Sequence, residues 1–184
     1  MERAVVFAGF GGQGLLFAGQ ILARAAIADG LESFWIPSYG PEMRGGTAAC
    51  TVIVGDEEIG SPVVDHYDAA VVMNPPSLAK FGSRVAAGGL LIVNTSLVGD
   101  ASAGQPQVDE LRLPCTELAA SAGDDKLVSV VALGALIGRL GWVSPASVVG
   151  AIREVVGAKR PAILAADLAA FDAGLRAGAV SLAA

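Results

Sequence analysis

The residues best suited to chemistry lie in one short stretch of the chain, residues 38–46. Its glycines and proline predict an irregular loop, because neither residue type fits the interior of a helix or a strand. A carboxylate and a guanidinium in the same loop suit the binding of an anionic or planar partner. From composition alone, a solvated surface turn explains the stretch equally well. The candidate binding residues of this loop are Ser38, Tyr39, Gly40, Pro41, Glu42, Arg44, Gly45 and Gly46.

A second candidate site is a glycine-rich stretch that follows the first apolar run of the chain. Residues 4–8 predict a strand buried on both faces, and residues 15–29 predict a helix that Gly30 ends. The loop between them precedes a helix N-terminus, where free N–H groups favour an anion such as a phosphate. Close packing of helix against strand would require the same glycines. The candidate residues of this loop are Gly9, Gly11, Gly12, Gln13 and Gly14.

The glycine-rich stretch formally matches a dinucleotide-binding fingerprint, with Gly9, Gly11 and Gly14 in the G-x-G-x-x-G positions. In such folds the second strand ends in an acidic residue that binds the ribose hydroxyls. Here the predicted second strand, residues 32–36, is followed by Pro37 and Ser38. The missing carboxylate argues against NAD as the ligand.

Small polar residues follow two further predicted strands, residues 68–73 and 90–93. Asn74 and Ser77 follow the first strand, and Asn94 and Ser96 follow the second. Ligands bind outside the carboxyl ends of parallel strands, so these side chains could line a pocket beside the glycine-rich loop. The same residue types also cap helices and form turns. Of the four, we select Asn74 as a candidate binding residue.

The composition of the 184 residues limits the classes of protein to which the chain can belong. With 53% hydrophobic and 16% charged residues, the chain is predicted to fold as a single domain, residues 1–184. A net charge of −6 and 5% aromatic residues argue against nucleic acid as a partner. No segment has the pattern of a signal peptide or a membrane span, so we expect a cytoplasmic protein.

The cysteines and the histidine do not predict a metal site or a catalytic residue in this chain. Cys50 and Cys115 are its two cysteines, and by themselves they cannot hold an iron–sulfur cluster or a structural zinc ion. We expect both to be small buried thiols. The single histidine, His66, has no partner at triad spacing, so we assign no chemistry to it.

The order of apolar runs and turn signals predicts an α/β fold. We expect a Rossmann-like, mainly parallel sheet, parallel at its start through a βαβ unit, covered by helices and followed by a helical C-terminal third. Residues 47–54 predict a strand, and residues 57–59 predict a short antiparallel return. Further helices are predicted at residues 77–87, 126–140, 144–156 and 161–176, and a last strand at 110–113.

The two candidate loops are specific in combination, because one predicted helix and one predicted strand separate them. Together they resemble the gamma subunit of the 2-oxoacid:ferredoxin oxidoreductases, the family of the pyruvate, 2-oxoisovalerate and 2-oxoglutarate enzymes. The resemblance covers about residues 4–175. The second loop is more similar to the 2-oxoglutarate and branched-chain branches than to the pyruvate branch. Further matching segments are Asp56–Pro62, Asp68, Met73–Asn74 and Gly88–Gly89.

The resemblance implies a subunit that is not active alone. The complex would oxidatively decarboxylate a 2-oxoacid, 2-oxoglutarate or 2-oxoisovalerate, with coenzyme A, giving acyl-CoA, carbon dioxide and reduced ferredoxin. Thiamine diphosphate then lies between the alpha and beta subunits, and [4Fe–4S] clusters lie in beta, delta or ferredoxin-like subunits. Both candidate loops would face these cofactors or the neighbouring subunits. Arg44 is then expected to pair with an anionic group, and Glu42 to hold Arg44 or to accept a hydrogen bond.

Two alternatives stay open at this point. The first is a stand-alone nucleotide-binding module, and the second is the corresponding subunit of an indolepyruvate-type oxidoreductase. Many members of the resembled family carry an asparagine near the start of the long C-terminal helix, where this chain has Asp124, Asp125 and Lys126. We therefore assign no site to that segment. The apolar composition predicts that part of the surface lies against another subunit, and that the isolated chain can form a homodimer.

Overall fold

A six-stranded sheet lies at the centre of the fold, and helices connect most of its strands. The computed structural model describes residues 1–39 and 47–180. The strands are β1 (Glu2–Phe10), β2 (Glu32–Tyr39), β3 (Thr47–Gly55), β4 (Tyr67–Val72), β5 (Val85–Asn94) and β6 (Asp109–Leu113). The α-helices of the described residues are α1 (Leu15–Ala28), α2 (Pro75–Phe81), α3 (Thr95–Val98), α4 (Cys115–Ala122), α5 (Val128–Leu140), α6 (Pro145–Val156) and α7 (Pro161–Val180). Across the sheet the strand order is β2-β3-β1-β4-β5-β6.

Four strands, β1, β4, β5 and β6, run parallel to one another. Val5, Val6 and Phe7 of β1 are fully buried, as a continuous apolar run predicts for a strand covered on both faces. Helices α1 and α4 to α7 contribute to the core on one face of the sheet, and α2 and α3 contribute on the other. The predicted α/β class, mainly parallel sheet and helical C-terminal third are therefore confirmed.

The first half of the sheet differs from the predicted βαβ arrangement. Strand β3 lies between β2 and β1 and is antiparallel to both, so β1 and β2 do not pair. The prediction that the sheet is parallel at its start is therefore wrong, because β3 separates β2 from β1 and pairs with both in antiparallel orientation. The predicted strand at residues 57–59 is also wrong, because β3 already has a partner strand on each side.

Capping residues explain where several helices begin and end. Gly30, at φ 80°, ends α1 as predicted, and Ser144 caps α6 as predicted. Helix α2 is shorter than the predicted helix at residues 77–87. Its N-cap is Asn74, and it ends at Phe81 because Val85 already begins the next strand.

The two cysteines are free and buried, which confirms the prediction for both. Burial raises the pKa of Cys50 and of Cys115 to about 12, so neither forms a thiolate at neutral pH. Within residues 1–39 and 47–180, no group of three or more His, Cys, Asp or Glu side chains is placed to hold a metal ion. None of the helices described for this chain has the length and apolarity that crossing a membrane requires.

Candidate functional site

The two candidate loops begin at the same edge of the sheet. Strand β1 pairs with β3 so that Gly9 lies opposite Ala48, and β3 pairs with β2 so that Ala48 lies opposite Tyr39. Tyr39, Ala48 and Gly9 therefore form one row across three strands. Because adjacent strands are about 4.8 Å apart, the end of β2 lies roughly 10 Å from the start of the glycine-rich loop. The structure thus brings the beginnings of both stretches to one site.

Most of the second loop lies outside the described residues. Ser38 and Tyr39 are the last two residues of β2, so this strand extends beyond the predicted residues 32–36. The Ser38 side chain is exposed. The other candidates, which lie outside the described residues, are Gly40, Pro41, Glu42, Arg44, Gly45 and Gly46. Their binding roles stay predictions.

The glycine-rich loop folds around the side chain of Gln13. The Gln13 amide oxygen accepts a hydrogen bond from Phe10 N at 2.7 Å, and Gln13 N donates to Phe10 O at 3.3 Å. Gly9 makes room for this arrangement, because a Cβ atom there would overlap Gln13 Oε1 and would lie 2.8 Å from Met73 Cβ. Gln13 and Gly9 therefore stabilise the loop and its contact with the end of β4.

The next glycines leave the first turn of α1 open. Gly11 and Gly12 are exposed, and a Cβ atom at Gly12 would meet no described atom within 4 Å. Gly12 and Gly14 have φ angles of 95° and 74°, which favour glycine. Gly14 is the N-cap of α1, so the helix starts without a side-chain cap, and its first turn contains no acidic residue. The N–H groups of this turn are therefore suited to binding an anion.

Asn74 lies beside this loop and is fully buried. Met73 N donates to Ala8 O at 2.9 Å, which holds the end of β4 against β1. The Asn74 side chain accepts a hydrogen bond from Ser77 N at 2.9 Å and so caps α2. Among the described residues, Asn74 Nδ2 and Ser77 Oγ have no hydrogen-bond partner. Asn74 thus has a capping role, and its buried Nδ2 remains a free donor among the described residues.

The second polar pair, Asn94 and Ser96, caps helix α4, which the sequence did not predict. Asn94 Oδ1 accepts hydrogen bonds from Ser96 N at 3.3 Å and from Cys115 N at 3.1 Å. Ser96 Oγ accepts from Thr116 N at 3.1 Å and donates to Glu117, which lowers the pKa of that carboxyl. The bonds from Cys115 N and Thr116 N satisfy free N–H groups at the start of α4, and the bond from Ser96 N caps α3. The pair is therefore structural.

A cavity of about 420 Å³ lies between the glycine-rich loop and the C-terminal helices. Gly12 and Gly14 line one side of it, and apolar side chains of α1, α5 and α6 form much of the remaining wall. Two cations, Lys126 and Arg160, and one carboxylate, Asp167, also line the cavity. The cations and the open first turn of α1 together favour an anionic group, while the apolar wall favours an organic chain.

Asp167 lines this cavity although only 2% of its surface is exposed. Burial, and then the negative charge of Asp124, raises the pKa of Asp167 to about 6. A buried carboxylate of this kind suits an N–H or O–H donor of a bound molecule. The sequence analysis did not predict this residue, although its position in the helical pattern is unusual. Asp167 stands between Leu164 and Phe171 on the apolar stripe of α7, where helical spacing predicts an apolar residue.

Comparison with known proteins identifies the family. Residues 4–177 match the family described as pyruvate ferredoxin/flavodoxin oxidoreductase, and this range includes the glycine-rich loop and the cavity. The chain belongs to this family. The match confirms the resemblance that the two candidate loops carry.

Two curated relatives show how the chain relates to the subunits of such enzymes. The ketoisovalerate oxidoreductase subunit VorA of Methanothermobacter thermautotrophicus is 40% identical over 136 residues, which are 74% of this chain and 28% of VorA. The chain therefore spans about 28% of the length of VorA. The 2-oxoglutarate synthase subunit KorC of Methanothermobacter marburgensis is 34% identical over 180 residues, with 95% of each chain covered. The chain thus matches nearly the whole of KorC and only part of the longer VorA.

Two solved structures share the fold. The gamma subunit of keto/oxoacid ferredoxin oxidoreductase from Geobacter sulfurreducens is 30% identical, with a TM-score of 0.83 and 99% of each chain covered. The other is 2-oxoglutarate:ferredoxin oxidoreductase from Magnetococcus marinus, solved with 2-oxoglutarate, coenzyme A and succinyl-CoA bound. Its sequence is 22% identical and the TM-score is 0.87. The superposition covers 97% of this chain and 31% of the Magnetococcus marinus chain. At that identity the likeness concerns the fold alone.

Proposed function

We propose that this chain is a gamma subunit that acts in a cytoplasmic, thiamine diphosphate-dependent complex that oxidatively decarboxylates a 2-oxoacid. The products are acyl-CoA, carbon dioxide and reduced ferredoxin, and 2-oxoglutarate or 2-oxoisovalerate is the substrate. The observation that carries the proposal is the row of Tyr39, Ala48 and Gly9, which brings the beginnings of both candidate loops to one edge of the sheet. Relatives named for both substrates support the choice of these two.

We propose that the chain is a single gamma-type domain, residues 1–184, and that other subunits supply the redox chemistry. Its two cysteines cannot provide the four thiolates of a [4Fe–4S] cluster, and both thiols are buried. Alpha and beta subunits would hold thiamine diphosphate, and beta, delta or ferredoxin-like subunits would hold the clusters that reduce ferredoxin. We expect the isolated chain to show no 2-oxoacid-dependent reduction of a viologen dye.

We infer that coenzyme A is the cofactor that this chain contacts most directly. It carries phosphate groups and a chain with amide and hydroxyl donors. The open first turn of α1, together with Lys126 and Arg160, suits the phosphates. The buried carboxylate of Asp167 suits a donor on the chain. The coenzyme A bound in the Magnetococcus marinus enzyme supports this choice of ligand.

Steady-state kinetics of the reconstituted complex test the proposal. Arg160→Ala removes a cation from the cavity, so the KM for coenzyme A should rise about tenfold, the loss of one charge-assisted contact. The KM for the 2-oxoacid should stay unchanged. Arg153→Ala, which removes an exposed arginine of α6 that does not line the cavity, is the matched control.

The possible results test the binding of coenzyme A and the activity of the complex separately. An unchanged KM for coenzyme A in Arg160→Ala would overturn the assignment of the cavity and leave the complex in place. A wild-type complex without 2-oxoacid-dependent, coenzyme A-dependent dye reduction would overturn the proposed function. A stand-alone nucleotide-binding module, which the open glycine-rich loop also suits, would instead bind NAD or FAD with micromolar affinity in calorimetry.

A further inference from the structure

Strands β2 and β3 lie at one edge of the sheet, and one of their two faces is covered by no helix of the described residues. Trp35 packs next to Gly19 of α1, so the neighbouring Phe34 points to the opposite face. On that face Phe34 lies in register with Ile53, Ile36 with Thr51, and Ser38 with Ala49. We define the β2–β3 face by Phe34, Ile36, Ser38, Thr47, Ala49 and Thr51.

The β2–β3 face has the character of an interface core. None of its six residues is charged, and the exposed Glu32, two positions before Phe34 on the same side of β2, lies at the edge of the face. The Phe34 side chain is 45% exposed, and Ser38 and Thr47 are also exposed. Helices α2 and α3, on the same side of the sheet, contact β1, β4, β5 and β6 instead. Depletion of charge around an exposed aromatic side chain marks the centre of protein interfaces.

The comparisons indicate what covers this face. In VorA the matching segment is 28% of the protein, and in the Magnetococcus marinus enzyme the same fold is 31% of the chain. In KorC, by contrast, it accounts for 95% of the chain. The domain therefore occurs both joined to a larger polypeptide and as a separate chain. A separate chain needs a surface that holds it against the part to which it is elsewhere joined.

We propose that the β2–β3 face is the docking surface for the thiamine-binding part of the complex, an inference that rests on the proposed function. The face is continuous with the site, because its strands carry Tyr39 and Thr47, which flank the second candidate loop. The partner surface is apolar and uncharged where it meets Phe34. Docking occurs through side chains and not by strand addition, because Pro37 removes a backbone donor from the edge strand β2.

Co-purification with the partner subunits tests the proposal. Wild-type chain, Phe34→Glu and Ile27→Glu are each co-expressed with affinity-tagged alpha and beta subunits of the same organism. Ile27, on α1, is 62% exposed and does not belong to the face, so it provides the matched control. We expect Phe34→Glu to reduce recovery of the gamma subunit at least tenfold, and Ile27→Glu to leave recovery unchanged. Thermal unfolding of each isolated chain confirms folding, and Thr51→Lys serves as the second test if Phe34→Glu does not fold.

The recovery of each variant with the partner subunits decides between the docking surface, the proposed function and a homodimer. Wild-type recovery of Phe34→Glu and Thr51→Lys would overturn the docking surface, while co-purification of the wild-type chain would still support the proposed function. Failure of the wild-type chain to bind any partner subunit would overturn the function itself. A third outcome concerns a second copy of this chain. If the isolated chain is a dimer by light scattering, and Phe34→Glu makes it a monomer without weakening the complex, the face belongs to a homodimer and the proposal is wrong.

Discussion

Gly14 of the glycine-rich loop packs directly against Ser129 of α5, and a Cβ atom at position 14 would lie 2.6 Å from Ser129 Oγ. Gly14 also has a φ of 74°, in the left-handed region. The start of α1 is thus positioned both by its backbone conformation and by contact with α5. Because the segment before α5 supplies Lys126 to the cavity, this contact fixes the open helix turn and the cation relative to each other.

Replacement of Gly14 should destabilise the protein for two separate reasons. In Gly14→Ala the new Cβ atom is strained by the positive φ and also collides with Ser129 Oγ. The two effects together should lower the free energy of unfolding by about 2–4 kcal/mol. Urea unfolding followed by circular dichroism measures this loss.

Two further variants separate strain from collision. Gly12→Ala has a positive φ but open space around it, so it should lose only about 1–2 kcal/mol. In the double variant Gly14→Ala/Ser129→Ala the colliding oxygen is absent, so the loss should be smaller than in Gly14→Ala alone. Equal losses in Gly12→Ala and Gly14→Ala would show that the contact with α5 does not position the loop.

The long C-terminal helices approach each other so closely that only glycine fits at their crossing. A Cβ atom at Gly174 of α7 would overlap Val131 O of α5, and a Cβ atom at Gly134 of α5 would overlap Phe171 O of α7. Gly174→Ala should therefore lower the free energy of unfolding by about 3 kcal/mol or more. The control is Gly150→Ala on α6, where a Cβ atom has no described neighbour within 4 Å. This variant should raise stability by about 0.5–1 kcal/mol, and similar losses in both variants would contradict the close approach.

Local signals were sufficient to predict much of the fold. Gly30 ends α1 and Ser144 begins α6 where the sequence predicts, because capping depends on neighbouring residues alone. The position of β3 could not be predicted in this way. The apolar run of β3 is compatible with parallel and antiparallel neighbours, and its place between β2 and β1 depends on contacts between distant residues. Helix α4 was missed because its caps, Asn94 and Ser96, come from another strand end.

The candidate site was predicted at the ends of β1 and β4 but not in the C-terminal third of the chain. The glycine-rich loop and Asn74 form one neighbourhood at the ends of β1 and β4, as the rule for parallel sheets predicts. Lys126, Arg160 and Asp167 reach the cavity from different segments of the C-terminal third. Spacing along the sequence does not predict that these residues lie close together, because the packing of α5 against the sheet and of α7 against α5 decides it.

The buried carboxylate of Asp167 should make stability depend on pH. Its pKa is raised from an ordinary 3.8 to about 6 by burial and by Asp124, and Lys126 and Arg160 are the cations that line the same cavity. Between these two pH values the folded chain binds more protons than the unfolded chain, so stability falls as pH rises through the window. The destabilisation by the charged carboxylate is complete once the pH is well above this pKa of about 6. Asp167→Asn should therefore raise the free energy of unfolding at pH 7 by about 1–3 kcal/mol and change it little at pH 4.

Urea unfolding at both pH values measures this difference, and Asp172→Asn on the same helix is the control. The Asp172 side chain is 53% exposed and pairs with Arg176, so its replacement should change stability by less than about 0.5 kcal/mol at either pH. Equal effects of Asp167→Asn at pH 4 and pH 7 would show that its charge is not what destabilises the fold. A buried charged group that lowers stability is retained where it has a functional role. The stabilised Asp167→Asn complex should therefore have a higher KM for coenzyme A than the wild-type complex.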